Sequence, residues 1–155
     1  MQPISSLVAK LRRDFAQFTF VEADVSRWSA KTQTVYFAPH SPHAEWVLLH
    51  ELGHACLQHA DYRRDVELLA MERDAWEYAT KTLAPKYSIT IEPDFIEDHL
   101  DTYRDWLHAK STCPRCTLTG VETSKQAYRC LGCQHVWNTN KGTQTRVRRY
   151  SRSSA

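Results

Sequence analysis

The chain has 155 residues, a formal net charge of +2 and a hydrophobic content of 42%, which are ordinary values for a soluble globular protein. No apolar stretch approaches the length of a membrane span. The first 20 residues carry Lys10, Arg12, Arg13 and Asp14 where a secretion signal needs an apolar core. We therefore expect a cytoplasmic protein, and the chain length predicts one domain or one domain with a small appendage.

The charge is distributed unevenly along the chain. Residues 1–110 carry 12 Lys/Arg and 17 Asp/Glu, whereas residues 111–155 carry 8 Lys/Arg and a single acid, Glu122. A basic end on an acidic body indicates an anionic partner for that end. A solvated tail without a partner would have the same composition, so both interpretations stay open.

The first third of the sequence predicts a helix, a small sheet and a second helix. Apolar residues recur at helical spacing over residues 3–18. Residues 19–37 change to the pattern of two or three short strands. Ser41 is then the expected N-cap, with Pro42 at the first helical position, and the helix is predicted to reach about residue 59.

This second helix contains the motif HExxH, as His50-Glu51-Leu52-Gly53-His54. Residues four apart lie on one face of a helix, so His50 and His54 project side by side and can coordinate one Zn²⁺. Glu51 lies at the edge of the same site, where it can act as a general base. Gly53 is a poor helix former, which indicates that another element packs closely there.

Two histidines do not complete a zinc site, so we expect an acid from the third helix, predicted over residues 66–83, to join them. Glu72 is the best candidate because the small Ala75, one turn later, lets this helix approach the HExxH helix. Glu67 and Asp74 are the alternatives. His59 lacks the spacing and the glycine turn of a metzincin third ligand, so we do not expect it to bind the metal.

The pattern resembles the ImmA/IrrE family of zinc metallopeptidases, of gluzincin type, in which HExxH is followed by a helix with ExEANxFAxxLLxP. The matching residues are Glu72, Ala75, Tyr78, Ala79, Leu83 and Pro85, while Asp74 stands for the second Glu and Trp76 for Asn. The resemblance covers about residues 1–85. It implies that His50, His54 and Glu72 hold a catalytic zinc and that Glu51 is the general base. Related enzymes place a polar residue at the Trp76 position to orient a ligand histidine, so here either Asp74 or Asp65 does this or the site is weakened.

The C-terminal part contains two CxxC pairs, Cys113/Cys116 and Cys130/Cys133, separated by 13 residues. In a chain without a secretion signal, this grouping favours a tetrahedral Cys₄ zinc site over disulfides. We expect a zinc ribbon with Tyr128 and Trp137 as its small core. The fifth cysteine, Cys56, is predicted to be a small buried apolar residue.

The sequence therefore predicts an α+β protein with three parts. The first part, residues 1–110, is a mainly helical, zincin-like metallopeptidase domain with a small sheet, and it ends in a fourth helix at 93–110. The second part is a β zinc ribbon over residues 111–137. The third is a basic flexible tail over residues 138–155. Arg146, Arg148 and Arg149 in the tail are candidate nucleic-acid contacts, with Tyr150 available for stacking.

The leading functional interpretation is a cytoplasmic zinc-dependent endopeptidase with one catalytic and one structural zinc ion and a protein or peptide substrate. Similarity to the family implies cleavage of a regulatory protein, such as a DNA-bound repressor. A SprT-like protease also joins HExxH to a ribbon, but it expects a third histidine well downstream, and His99 and His108 lie there in a helix without the expected surroundings. The third interpretation is a non-catalytic zinc-ribbon adaptor in which the HExxH zinc is structural.

Overall fold

The computed structural model describes residues 4–143 and 145–152, and within them the chain has four α-helices and two small β-sheets. The predicted α+β class is confirmed at this level. The chain divides into two compact units, Met1–Asp61 with Met71–Ile96 and Tyr62–Ala70 with Glu97–Ala155. No described helix combines the length and the apolar character needed to cross a bilayer.

The first unit begins with helix α1, Ile4–Asp14, which buries Leu7, Val8 and Leu11 along one face. The helix ends four residues earlier than the sequence predicted. Beyond it the backbone N–H of Phe15 still donates to the carbonyl of Leu11, at 2.8 Å.

A three-stranded sheet follows, with β1 at Thr19–Glu22, β2 at Arg27–Ser29 and β3 at Thr34–Phe37. Strand β3 is central, because it pairs in parallel with β1 and antiparallel with β2. Its residues are correspondingly the most buried of the three strands. Helix α2 packs against β2 and β3, so the sheet supports the helix that carries HExxH.

Helix α2 spans Ala44–Cys56 and is shorter at both ends than predicted. Its N-cap is His43, in the left-handed conformation, and not Ser41. The hydroxyl of Ser41 instead donates to the carbonyl of Ala38, at 2.9 Å, in the preceding turn. The helix closes through Gln58, whose φ of 53° reverses the chain.

Helix α3 spans Asp65–Tyr78 and continues as a π-helical turn at Ala79–Leu83 and a 3₁₀ turn at Ala84–Tyr87. The predicted helix over residues 66–83 is thus present, with its last turn widened. Proline lies in the first turn of the 3₁₀ segment, where its missing N–H costs no hydrogen bond. Helix α4 spans Pro93–Ser111.

The second unit contains a four-stranded antiparallel sheet in the order β4-β5-β6-β7. The strands are β4 at Gly120–Ser124, β5 at Ala127–Cys130, β6 at Val136–Thr139 and β7 at Arg149–Ser151. Strand β7 lies within the segment that the sequence predicted as a flexible tail. Residues 62–70 and 97–110, assigned by the sequence to the first domain, belong to this unit.

The ribbon core contains Tyr128 and Trp137, as predicted, together with Cys113 and Cys130. The two aromatic rings stack with centroids 5.7 Å apart. The indole N–H of Trp137 donates to the carbonyl of Lys110, at 2.9 Å. This contact ties the ribbon strands to the end of helix α4.

A buried polar network extends this core. Lys110 and Asp65 are each fully buried and lie 2.8 Å apart. The ammonium group also donates to Gln126, at 2.6 Å, and the hydroxyl of Tyr128 donates to Asp65, at 2.5 Å. Each charge therefore has an opposite charge and a neutral partner, as burial requires.

Candidate metal centres

His50, His54 and Glu72 converge in the first unit. The Nε2 atoms of His50 and His54 are 3.1 Å apart, and they lie 2.8 and 3.2 Å from the two carboxylate oxygens of Glu72. All three side chains are buried. Two imidazole nitrogens and one carboxylate, all facing one point, form a donor set that fits Zn²⁺. Among the described residues, these three form this candidate site.

Close packing between helices α2 and α3 brings Glu72 to the histidines. A Cβ atom added at Gly53 would lie 2.6 Å from the carbonyl oxygen of Ala75. Ala75 is itself fully buried. The prediction that another element packs closely on Gly53, and that the small Ala75 permits it, is confirmed.

Interactions within the site displace the pKa values of its members. Burial alone would raise the pKa of Glu72, but hydrogen bonds and charge from His50 and His54 outweigh it and lower the pKa below its ordinary value. Burial alone would lower the pKa of His54, but Glu72 outweighs it and raises that pKa. The carboxylate is thus ionised at neutral pH, which is the form that binds a metal.

Glu51 lies at the edge of this group and is partly exposed. Loss of surrounding water raises its pKa to about 7, with a further contribution from Glu72, against the opposing charge of His54. The backbone N–H of Trp28 in strand β2 faces the carboxylate and slightly opposes this rise of the pKa. A carboxyl group with a pKa near 7 is well matched to proton transfer at neutral pH.

The other side chains proposed to support the histidines lie in different surroundings. The ring of Trp76, 1% exposed, stacks on His50 with centroids 4.1 Å apart. The side chain of Asp74 is 48% exposed and pairs with Arg73 at 3.2 Å. Asp65 belongs to the second unit, where it pairs with Lys110. An aromatic face therefore packs on His50 where the family pattern has an asparagine.

His59 has a contact that the sequence did not predict. Its Nδ1 lies 2.8 Å from Nδ1 of His54. Burial and the charge of His54 lower the pKa of His59. The only sequence feature that could indicate this contact is the five-residue spacing between His54 and His59. This spacing predicts a contact between the rings only when the turn at Gln58 is known.

The four ribbon cysteines form a second candidate centre in the second unit. Their sulfur atoms approach pairwise, with Cys113 and Cys133 3.7 Å apart and Cys116 and Cys130 3.4 Å apart. Sulfurs on a tetrahedron with Zn–S bonds of about 2.3 Å are about 3.8 Å apart. The four-thiol donor set and its spacing therefore fit a structural zinc ion.

Backbone N–H groups at each knuckle point at the sulfurs. Gly132 and Cys133 donate to Sγ of Cys130, at 3.3 and 3.4 Å, and Arg115 donates to Sγ of Cys113, at 3.4 Å. At Cys130 these donors outweigh burial and hold the pKa of the thiol down to about 6. A thiolate at neutral pH is the form that binds a metal.

The candidate nucleic-acid contacts lie on the segment leading into strand β7. Arg146, Arg148 and Arg149 line an open groove together with Pro114 and Tyr150. All three arginines are exposed, and a guanidinium nitrogen of Arg149 also donates to the carbonyl of Thr112, at 2.7 Å. The three arginines thus share one surface, and one of them also anchors the segment.

Comparisons of the chain with protein-family models, with curated proteins and with solved structures find no match. Its classification therefore rests on its own geometry. The chain is an α+β protein, and within the residues that the structure describes a His₂Glu group and a Cys₄ group could each hold a metal ion.

Proposed function

We propose that this protein is a cytoplasmic zinc-dependent endopeptidase of the ImmA/IrrE type, with a structural zinc ion in its ribbon. The observation that supports the proposal is the convergence of His50, His54 and Glu72, with Glu51 at the edge of the same group. A His₂Glu donor set that leaves a position for water is typical of catalytic zinc sites.

A zinc ion held by this group would supply Lewis-acid polarisation of a peptide carbonyl and of water. Glu51 accepts a proton from the attacking water and delivers it to the nitrogen of the leaving amine. The backbone N–H of Trp28 faces the Glu51 carboxylate from strand β2 and favours its ionised form. Packing of Trp76 on His50 excludes water from that side of the site.

The alternatives are less well supported by the geometry. A SprT-like protease would use a third histidine, but within residues 4–143 and 145–152 the acid Glu72 joins His50 and His54. A structural HExxH zinc in an adaptor would call for a fourth protein ligand, and this described group has three members. The His₂Glu set therefore favours a hydrolase of the gluzincin type.

We further propose that the ribbon brings the enzyme to a DNA-bound regulatory protein. The groove lined by Arg146, Arg148 and Tyr150 offers positive charge beside an exposed aromatic ring, which is the combination that binds nucleic-acid strands. Binding of a fluorescent oligonucleotide should weaken with salt, and the salt dependence should become shallower in Arg146→Ala/Arg148→Ala. An unchanged affinity in this variant would show that the groove does not bind the oligonucleotide.

The enzyme proposal is tested with the variant Glu51→Gln on a peptide library prepared from a cell lysate, with new termini identified by mass spectrometry. The wild type with zinc should produce reproducible cleavage sites. Glu51→Gln should lose about 10²-fold or more in rate, because proton transfer is removed, while its fold and zinc content stay unchanged. Glu45→Gln makes the same chemical change on the same helix and serves as the matched control.

The outcomes separate the three interpretations. Cleavage that disappears in Glu51→Gln and persists in Glu45→Gln supports the endopeptidase. Equal cleavage by both variants would exclude Glu51 as the base and refute the proposed chemistry. Two bound zinc ions without cleavage of any peptide by the wild type would favour the adaptor.

A further inference from the structure

The two ring nitrogens of His54 face different partners. Its Nε2 points to Nε2 of His50, at 3.1 Å, and to Glu72, at 3.2 Å. Its Nδ1 points to Nδ1 of His59, at 2.8 Å. His59 has no place in the proposed proton transfer, and it does not belong to the described His₂Glu group. Its contact with a ligand histidine therefore calls for a separate explanation.

The direction of this hydrogen bond follows from the chemistry of imidazole. A neutral ring carries one proton, and a metal binds the nitrogen that lacks it. When His54 presents Nε2 to a metal, its proton is on Nδ1, and this N–H points at His59. His59 must then accept through an unprotonated Nδ1 and carry its own proton on Nε2. The contact therefore specifies the tautomer of both rings.

Backbone contacts hold His59 in this position. The chain reverses at Gln58, and the backbone N–H of His59 donates to the carbonyl of His54, at 3.0 Å. The indole N–H of Trp28 donates to the carbonyl of His59, at 2.9 Å. The side-chain amides of Gln33 and Gln58 exchange two hydrogen bonds, at 3.2 and 3.0 Å. Helix α2, strand β2 and the turn before β3 thus fix the backbone from which the ring extends.

We propose that His59 is a positioning residue, which accepts a hydrogen bond from Nδ1–H of His54 and so holds the His54 ring with Nε2 presented to the metal. The inference rests on the proposed function for the identity of the ion, zinc, but it concerns metal binding and not cleavage. Removal of such hydrogen-bond partners typically costs about 10–100-fold in metal affinity.

The first test measures zinc retained by the full chain during dialysis against a graded series of a zinc chelator. His59→Leu removes the acceptor, whereas His59→Asn keeps an amide oxygen near the position of Nδ1. His108→Leu makes the same change at an exposed histidine of helix α4 and is the matched control. His50→Ala identifies which of the bound ions belongs to the His₂Glu site.

We expect the dissociation constant of this ion to rise about 10–100-fold in His59→Leu and to remain close to the wild-type value in His59→Asn and His108→Leu. Wild-type affinity in His59→Leu would overturn the inference. So would an affinity in His59→Asn as low as in His59→Leu, since that would assign the effect to packing and not to hydrogen-bond acceptance.

A second test needs no variant and so does not depend on how the substitutions fold. In the zinc-loaded wild type, ¹⁵N NMR of the histidine rings should find a proton on Nδ1 of His54 and none on Nδ1 of His59. A protonated Nδ1 on His59 would overturn the inference.

The inference and the proposed function fail in different ways. The expected affinities, combined with an absence of peptide cleavage by the wild type, would uphold the role of His59 and refute the peptidase. Equal zinc content in His50→Ala and the wild type would show that this site binds no zinc, and would refute both.

Discussion

Replacing Lys110 by methionine keeps most of the side-chain volume but removes the ammonium group, which lies 2.8 Å from Asp65 and 2.6 Å from Gln126. Because Asp65 is fully buried, its carboxylate would be left in the interior without a cation. The hydroxyl of Tyr128 and the side-chain amide of Gln126 would still donate to it, but neutral donors do not compensate a charge. We expect the free energy of unfolding to fall by about 3–5 kcal/mol, the usual result of removing one partner of a buried ion pair.

The double variant Lys110→Met/Asp65→Leu separates charge attraction from the cost of burial. At 2.8 Å and an effective dielectric constant of about 20, the attraction between the two charges is about 6 kcal/mol, much of which offsets their loss of water. Removing both charges removes both their attraction and the cost of burying them. The free energy of unfolding of the double variant should therefore fall by about 1–3 kcal/mol less than the sum of the decreases in the two single variants. The hydroxyl of Tyr128 and the amide of Gln126 would then lose a partner, which costs about 1–3 kcal/mol for each group left unsatisfied.

The assay is urea unfolding at a fixed free zinc concentration, because bound zinc adds to the stability of the folded state. Hydrogen–deuterium exchange of peptides from strands β5 and β6 reports the stability of the second unit and not an average over the whole chain. The exposed Lys141 gives the matched control, Lys141→Met, which should change stability by less than about 0.5 kcal/mol. Unfolding of Lys110→Met at the wild-type urea concentration, or strictly additive losses in the double variant, would refute the reasoning.

Three further predictions concern the two metal centres and helix α1. Gly53→Ala places a methyl group 2.6 Å from the carbonyl oxygen of Ala75, so thermal unfolding should show a loss of about 1–3 kcal/mol; an unchanged Tm would contradict the close helix packing. Cys130→Ser removes one of four thiols, and native mass spectrometry should find one zinc ion fewer per chain; retention of both ions would count against the Cys₄ site. Burial and a hydrogen bond to Asp14 raise the pKa of Tyr87, so its contribution to stability is present below about pH 10, the unfolded value, and is lost at higher pH. The free energy of unfolding should therefore fall less steeply between about pH 10 and 12 in Tyr87→Phe than in the wild type, and equal slopes would contradict this.

The parts of the His₂Glu site that follow from local rules could be predicted from the sequence. The four-residue spacing of His50 and His54 places them on one helix face whatever surrounds the helix. Gly53 and Ala75 are small residues in two neighbouring helices, and such pairs predict close packing. Several acids on the third helix were candidates for the third position, and the spacing to Ala75 favoured Glu72, the acid that the structure places there.

Other features depend on contacts that sequence spacing does not contain. The approach of His59 to His54 requires a left-handed turn at Gln58, and glutamine, unlike glycine, gives no signal for this conformation. The burial of Lys110 with Asp65 joins residues 45 positions apart, and both residue types are usually exposed. The N-cap expected at Ser41 is absent because the helix begins only at Ala44, with His43 as its N-cap, while Ser41 lies in the preceding turn and its hydroxyl donates to the carbonyl of Ala38.

Trp28 takes part in two interactions around the His₂Glu site, through its backbone N–H to Glu51 and through its indole to the carbonyl of His59. The proposed general base, Glu51, and the proposed positioning residue, His59, therefore both contact one residue of an edge strand. A shift of strand β2 by a single position would disturb both at the same moment. During evolution the register of this strand can thus change only if Glu51 and His59 readjust together.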